Sequence, residues 1–600
     1  MSEKKLNGAD HSSFTRRNFL KLAGLGGVAT VAGTALAGCS PSQTAQEHPA
    51  DNEAFRKAAE PIAPVAAPAI WDAESDVVIV GSGGGGMAAA IRLATAGFSV
   101  TLLERNSTTG GNSRYAGHFV NFGGHKMSDA VQWAWPVYPY NPAVIVEYLN
   151  DIFQMSGDTA LLYQLAVEGP KWIDWMHDEL KFNWVSSNAE PSGMRAIHID
   201  GSITKNNAIE INNQLFKDLT KIAQDKGVDI RLDSPAAALV QDADRIAGIK
   251  VISTDGAETY YHGKKAVILT AGGFEMNRAL LKKYAPLAAQ GLANVATPPN
   301  GTGECTRMAL GVGADMCGVD SVAAYDGGVE WSEYADDDIW MHAHVNKDGN
   351  QAVRQPWLAI DKTGHRIPYL STSGTDYPYA TTGSWAPFGL CDQATIQMAC
   401  PGGRAYVCFD SKFDELVSKN YFKQSVCRPG KVVPADDPLI DRVPEYQRDW
   451  HTGFEQMVAA GAIKKYDTLE EVEQALGLHK GLLTDEVKKW NDACKQGKDY
   501  VDVYQYDPAW LIPIDTPPYY GAKLGGNAWC TKVGVRVNPQ MQVINTDGQV
   551  IPGLYAGFHT AGGSNGELSV AGKPFNGMFG CVGLSFIGGY IAAGSLINGK

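Results

Sequence analysis

The chain has 600 residues, 44% of them hydrophobic, enough for two or three domains with cores of their own and far beyond a small scaffold stapled by disulfides. A formal net charge of −14 and a pI near 5.4 argue against nucleic acid as a partner, since a phosphate backbone needs clustered Lys and Arg. The ten cysteines contain no CxxC, no CxxCH and no zinc-type spacing, so no metal, haem or iron–sulfur signature is present and most of them read as isolated buried thiols.

Residues 1–39 read as an address. Thr15-Arg16-Arg17-Asn18-Phe19-Leu20-Lys21 is a twin-arginine (Tat) motif, a weakly apolar Gly/Ala-rich run follows from Leu22, and Leu36-Ala37-Gly38-Cys39 resembles a bacterial lipobox. The run is too short and too poor in large apolar residues for a transmembrane span. The expectation is an exported, extracytoplasmic protein held at the membrane through lipidated Cys39. Residues 40–70, with Glu60-Pro-Ile-Ala-Pro-Val-Ala-Ala-Pro-Ala69, predict a semi-extended, poorly ordered linker. The globular part should begin near Trp71.

From Asp76 the β-branched run Val77-Val-Ile-Val80 reads as a buried parallel strand. Gly81-Ser-Gly83-Gly-Gly-Gly86 allows a tight turn and close backbone approach, and the small-residue segment after it reads as a helix packed on the strand. Unpaired amides and the dipole at that helix's N-terminus would hold a pyrophosphate. Glu104, roughly twenty residues after the first glycine and followed by Arg105, is placed for the hydroxyls of an adenosine ribose. The glycines alone are weak evidence; with the strand, the helix and the acidic residue they point to a dinucleotide.

Thr109-Gly110-Gly111-Asn112-Ser113-Arg114-Tyr115 is a second glycine-rich turn, suited to backbone approach to a flat ring. Helical patterns cover about 141–156, 159–177 and 208–226. Asp229-Ile-Arg-Leu-Asp233 and Ile246 to Val251 alternate as strands, and Ala266-Val-Ile-Leu-Thr-Ala271-Gly272-Gly273-Phe274 is another buried strand ending in glycines. Pro299-Asn-Gly301-Thr-Gly303-Glu304 opens a helix at a phosphate-friendly turn. The stretch 321–514, rich in Trp, Tyr, Pro and Gly, reads as a separate cap with amphipathic helices at Thr468 to Gly477 and Leu482 to Cys494. From 515 the chain returns to the nucleotide domain, with a turn and strand at Gly548 to Gly557 and a small-residue helix opened by Phe575-Asn576-Gly577-Met578 and running to about Ile597.

Four of these segments together resemble the flavoprotein family of soluble fumarate reductases, urocanate-type reductases and 3-ketosteroid dehydrogenases: the strand, glycine turn and helix ending in Glu104; Gly110-Gly111-Asn112-Ser113; Ala271-Gly272-Gly273-Phe274; and Ile551-Pro-Gly-Leu-Tyr-Ala-Gly557. The likeness runs from about residue 74 to the C-terminus. It implies non-covalent FAD, a mobile cap, and hydride transfer between flavin N5 and a carbon–carbon bond activated by an adjacent carbonyl or carboxylate. The expected fold is α/β: a discontinuous Rossmann-like FAD-binding domain (71–320 and 515–600) with an inserted α+β capping domain (321–514). The implied cofactor set is Gly81, Gly83, Gly86, Glu104, Arg105, Gly110, Gly111, Asn112, Ser113, Ala271, Gly272, Gly557, Asn576, Gly577 and Met578.

Fumarate-reducing members of the resembled family clamp a dicarboxylate with two histidines and two arginines, and this chain departs from that pattern. Tyr325 stands near the first histidine's place, and Gln351-Ala-Val-Arg354 resembles the Glu-Ala-Val-Arg proton relay with an amide for its carboxylate. Ser373 to Tyr377 offers no arginine, Cys530 takes the second histidine's place, and only Lys573 lies near the last arginine's. A buried dicarboxylate without paired cations is costly. Tyrosines crowd the neighbourhood instead, at 115, 325, 377, 379, 519 and 520. A phenol can polarise a ketone oxygen or donate a proton beside the carbon that receives no hydride; each also fits an interior aromatic whose hydroxyl finds a backbone partner. The expected catalytic residues are Tyr325 and Tyr520, with Arg354 and Tyr377 beside them, and Cys530 is expected to line the pocket without acting as a nucleophile.

These expectations describe an exported FAD-dependent ene reductase, moving hydride from flavin N5 to the activated C=C of a neutral or aromatic enone-like small molecule as terminal electron acceptor. Electrons would come from an external membrane or cell-surface carrier. The same geometry in reverse gives a 3-ketosteroid dehydrogenase; a fumarate- or urocanate-type carboxylate reductase fits the missing clamps less well, and a bare electron carrier would need no pocket at all.

Overall fold

The computed structural model describes residues 56–115, 119–121, 124–126, 140–152, 157–186, 195–199, 208–295, 300–330, 353, 357–367, 400–418, 450–501, 508–566 and 580–599. The twin-arginine motif, the lipobox and Cys39 lie outside them. Among the described residues no helix is long and apolar enough to cross a membrane.

The larger sheet, of nine strands among the described residues, is organised around the strand Ala73–Val80. Val100–Leu103 lies parallel to it on one side and the second half of Glu258–Leu269 on the other. Asp229–Arg231 and Val550–Ala556 extend the parallel part outward. Val77, Val78, Ile79, Leu102, Leu103, Val267, Ile268 and Leu269 are fully buried, as expected of strands covered on both faces. Register pairs Val80 with both Leu103 and Leu269, and Leu269 with Ala556, so four strands end together. Open parallel sheets bind ligands in the crevice at such ends. The first half of Glu258–Leu269 pairs antiparallel with Arg245–Ile252 on its other side.

Two helices cover one face of these strands. Gly84–Thr95 follows the central strand, and Gly580–Ile597 packs across it. Their contact is backbone to backbone: a Cβ on Gly589 would stand 1.8 Å from the carbonyl oxygen of Gly85. Small residues let the helices meet at this distance, and the ring of Phe586 fills the space beside Gly84.

The second sheet has six described strands and is built on the thirteen-residue strand Tyr519–Thr531. Ala405–Asp410 and Ile463–Tyr466 flank its first half; Leu292–Val295 and Val322–Val329 flank its second. Two strands of this sheet, Leu292–Val295 and Tyr519–Thr531, therefore come from outside the 321–514 range read as the cap. The reason is compositional: Tyr-Tyr-Gly-Ala-Lys-Leu-Gly-Gly-Asn-Ala-Trp-Cys-Thr has no period-2 alternation that marks it as a strand. Trp357, Phe409, Phe413, Phe454 and Trp490 fill the cap core. Beside it Arg366 holds Asp499 in a buried bidentate pair, with the second contact at 2.9 Å.

The linker expectation fails for its last fifteen residues. Val65–Ala66 pairs parallel with Val240 and Gln241, and the Ile62 amide donates to Arg307 O at 2.9 Å. Arg307 Nε donates to Glu60 O at 2.7 Å, Asn277 Nδ2 to Ala58 O at 2.8 Å, and Ile62 is half-buried against the main core. Pro-rich composition describes the segment's extension correctly, but its carbonyls are taken up by the domain behind it. A chain starting at residue 71 should accordingly be less stable than one starting at residue 56 by about 2 kcal/mol or more, given several lost hydrogen bonds at roughly 1 kcal/mol each. Equal urea midpoints for the two truncations would show that the segment is only a tether.

Candidate active site

Close approach of the first helix to the first strand creates the site. Gly81 has φ +94°, and a Cβ there would lie 2.7 Å from Ala271 Cα; a Cβ on Gly86 would lie 1.8 Å from the carbonyl oxygen of Gly81. Only glycine admits both the left-handed turn and the contact. Over the aligned strand ends opens a cleft with about 1360 Å³ of empty space, its mouth included.

Among the expected cofactor residues, Gly81, Gly83, Glu104, Arg105, Gly111, Asn112, Ser113, Ala271 and Gly272 line this cleft. Gly86, Gly110 and Gly557 stand behind its wall. Gly86 sets the helix against the strand, the Gly110 amide donates to Ser82 Oγ at 3.0 Å, and the Gly557 amide to Leu269 O at 2.9 Å. Asn576, Gly577, Met578, Arg354 and Tyr377 fall outside the described residues, and of Tyr325 only the backbone is described. Sequence reading missed Ser234 to Ala236, Glu275, Trp529, His559, Cys581 and Ser585, which the fold gathers from five separate segments. Asn300, Gly301 and Glu304, from the turn read as phosphate-friendly, line it too.

The Glu104 carboxylate is buried. Its Oε2 accepts from the Ser82 amide at 3.0 Å and Ser82 Oγ at 2.5 Å, and Oε1 accepts from the Asn106 amide at 2.9 Å. A carboxylate offers about four lone-pair sites, so one ribose hydroxyl finds a vacant site while a second competes with Ser82 Oγ. The helix amides that were expected to meet a pyrophosphate directly are met first by hydroxyls: Gly84 N donates to Ser113 Oγ and Gly85 N to Ser585 Oγ, both at 3.1 Å. Each serine keeps an O–H to offer an anionic oxygen. Arg105 is tied to the neighbouring turn, donating to Thr302 Oγ1 at 2.7 Å and Asn300 O at 2.8 Å, with Glu304 at 3.5 Å.

A chain of polar contacts follows one wall. Asn106 Nδ2 donates to Asn300 Oδ1, Asn300 Nδ2 to Asn112 Oδ1 at 2.9 Å, and Asn112 Nδ2 to Glu275 Oε1 at 3.2 Å. Glu275 Oε2 then accepts from the Thr531 amide at 3.4 Å, at the end of the cap strand. Burial raises the Glu275 carboxyl above the usual range against the pull of these donors.

Next to Thr531 the cleft wall is Trp529 and Cys530. Cys530 Sγ donates to Cys581 Sγ at 3.2 Å, and His559 Nε2 donates to the backbone oxygen of Cys581 at 2.8 Å. Burial, with the Lys532 ammonium second, holds the His559 ring down to about 3 and hence neutral. Cys530 thus lines the pocket, but it is not isolated; the expectation of solitary thiols is corrected for this pair.

Tyr520 is not in the site. It lies at the far end of the Tyr519–Thr531 strand, ten residues from Cys530 and so roughly 30 Å away. Its ring stacks on Phe409 at 5.4 Å with 7° between planes and meets Phe413 edge-on at 5.0 Å, so the phenol serves the cap core. The Tyr325 backbone, in contrast, pairs with Asn527, two residues from Trp529.

Comparison with known proteins agrees with this geometry. Residues 76–572 match the family model described as FAD binding domain. The vinyl phenol reductase of Lactiplantibacillus plantarum is 25% identical over 525 residues, covering 86% of this chain and 94% of the relative. The digoxin reductase of Eggerthella lenta is 23% identical over 580 residues, covering 92% and 91%. Among solved structures, the 3-ketosteroid Δ1-dehydrogenase of Sterolibacterium denitrificans superposes with a TM-score of 0.60 at 19% identity, covering 88% of this chain and all of the other, a likeness of fold. The cleft fits FAD: a buried carboxylate with a vacant acceptor site stands at one place and two serine hydroxyls over a helix N-terminus at another. Gly111 and Gly272 have nothing within 4 Å of where a Cβ would point.

Two outcomes follow. Replacing Glu104 by Ala removes a charged acceptor, so FAD titrated into the apoprotein should bind about 10- to 100-fold more weakly, the equivalent of 1.5–3 kcal/mol; unchanged affinity would mean the ribose sits elsewhere. His559 has a folded pKa of about 3 against an unfolded 6.5, so between those values the unfolded chain binds the extra proton and stability falls as pH drops below 6.5. Urea midpoints followed from pH 7 to pH 4 should show His559→Gln losing stability less steeply than the parent, by up to about 1 kcal/mol per pH unit.

Proposed function

Because the chain belongs to the FAD binding domain family and is an FAD-dependent oxidoreductase acting on carbon–carbon bonds, we propose that it is an ene reductase whose acceptor is a neutral or aromatic, enone-like small molecule. Cys530 carries this reading. At the place where the resembled fumarate reductases set a clamping histidine, the cleft wall is a thiol between Trp529 and Thr531. Among the described lining residues the one guanidinium, Arg105, is engaged by Asn300, Thr302 and Glu304, and the one imidazole, His559, is neutral. Such a wall offers a dicarboxylate little to offset its desolvation and offers an aromatic or enone acceptor apolar contact. Two relatives named for a vinyl phenol and for digoxin, not for a dicarboxylate, support the same choice.

Bound FAD supplies the hydride at N5. The chain's part is to fix the cofactor against the strand ends through Glu104 and the serine-capped helix, and to keep water from the reacting carbons with the cap. Tyr325 is the proposed proton donor or carbonyl polariser, its backbone standing two strand positions from Trp529; Arg354 and Tyr377 are proposed beside it. The chain is further proposed to leave the cytoplasm by the Tat route and to be lipidated at Cys39. On this reading a membrane or cell-surface carrier supplies its electrons. Residues 15–21 and 36–39 support that placement.

Anaerobic protein reduced with viologen and mixed with a panel of enones, vinyl phenols, a 3-keto-4-ene steroid and fumarate tests the reading. Flavin reoxidation should be rapid with at least one neutral acceptor and no faster with fumarate than with buffer. Tyr325→Phe should slow it by about 10²- to 10⁴-fold, while Tyr520→Phe leaves it unchanged. Brisk fumarate turnover would overturn the substrate class. Dye-linked oxidation of 3-ketosteroids without any reduction would reverse the direction.

A further inference from the structure

The hydride route uses neither sulfur of the Cys530–Cys581 contact. We propose that these two residues are a dithiol–disulfide couple in the cofactor cleft, a second two-electron redox centre that exchanges electrons with the bound flavin. The proposal rests on FAD occupying the cleft and is independent of which acceptor the enzyme reduces.

The two cysteines are 51 residues apart and come from different layers, one from the end of the cap strand and one from the first turn of the helix Gly580–Ile597. Their sulfurs stand 3.2 Å apart, about 1 Å beyond a disulfide bond. They are chemically unlike. Cys581 accepts the S–H of Cys530, sits in the first helical turn, where the dipole favours a thiolate, and feels the charge of Lys532, a fully buried lysine; the hydrogen bond from Cys530 is the largest influence holding it down to about 7. Burial, then Cys581 itself, pushes Cys530 well up. Cys581 is therefore the sulfur that gives up its proton first, which makes the reacting pair one thiol and one thiolate. His559 fixes the backbone of Cys581 through its hydrogen bond to the Cys581 carbonyl, and both cysteines line the same cleft as Gly81, Glu104 and Asn112.

The step balances without a further reagent. The S–H bond of Cys530 breaks and the Cys530–Cys581 bond forms; the two electrons and the one proton released reduce oxidised flavin to its anionic two-electron form. Reduced flavin reopens the disulfide by the reverse. Such a centre lets the protein hold four electrons where the flavin alone holds two. Metal binding is the competing use of these side chains, since Cys530, His559 and Cys581 each bring one ligand atom within 4.8 Å of the others. Two features disfavour it. Zinc–sulfur bonds of about 2.3 Å in a tetrahedron put sulfurs roughly 3.8 Å apart, wider than this pair, and the Lys532 charge that stabilises a thiolate repels a second cation.

Anaerobic dithionite titration of the air-oxidised, FAD-loaded protein tests the couple by electron count. It should take up four electrons per FAD, and the Cys530→Ser and Cys581→Ser proteins two. A direct reading on the unmodified chain guards against a serine variant that fails to fold: alkylation in denaturant followed by peptide mass spectrometry should find Cys530 and Cys581 joined after air oxidation and both alkylated after dithionite. Two electrons per FAD in the parent protein with no joined peptide would overturn the proposal. So would one equivalent of tightly bound zinc released by alkylating these cysteines. Neither readout depends on an acceptor, so failure of the ene-reductase reading leaves this test intact.

Discussion

The contact on which the structure turns is the one between Gly86 and the carbonyl of Gly81. With 1.8 Å between that oxygen and the point a Cβ would occupy, the helix Gly84–Thr95 starts as close to its strand as a backbone can. That placement brings its N-terminal amides to the floor of the crevice where four strands end. A second contact of the same kind, Gly589 on Gly85, lays the C-terminal helix along the first and carries Ser585 and Cys581 into the cleft. A methyl group at either contact would push a helix outward and open the cradle.

The strand Tyr519–Thr531 gives the site its other wall. Its first half is locked into an aromatic core by Tyr520 against Phe409, Phe413 and Phe454, and its last residues reach Glu275 and the cofactor cleft. Cap and cofactor domain therefore share one continuous run of main-chain hydrogen bonds. The asparagine chain from Glu104 to Glu275 closes the loop from the nucleotide side.

Much of this was legible in the residues. The run Val77 to Val80, the glycines after it and Glu104 specify a strand, a helix and a buried carboxylate at the strand ends because each is a local demand of one βαβ unit. Helices at Thr159–Asp178 and Leu482–Gln496 follow from apolar period. What stayed hidden depends on contacts between distant segments. Nothing in Pro-Tyr-Tyr says which tyrosine faces a pocket, and the length of the strand, not the likeness, moves Tyr520 to its far end. Cys530 and Cys581 obey no spacing rule, since a strand end and a helix start meet there only in three dimensions. The segment before Trp71 reads as a loose tether from its prolines, while its order comes from Arg307, Asn277 and a strand that belongs to the domain behind it.

The geometry of the cleft requires that one FAD be held there by packing and hydrogen bonds alone. The most direct measurement is the visible spectrum of the purified protein before and after denaturation, with the supernatant analysed for flavin. A yellow protein that releases about one FAD per chain into solution is the expected result. Protein that stays colourless after incubation with FAD, or flavin that remains attached to the denatured chain, would contradict it.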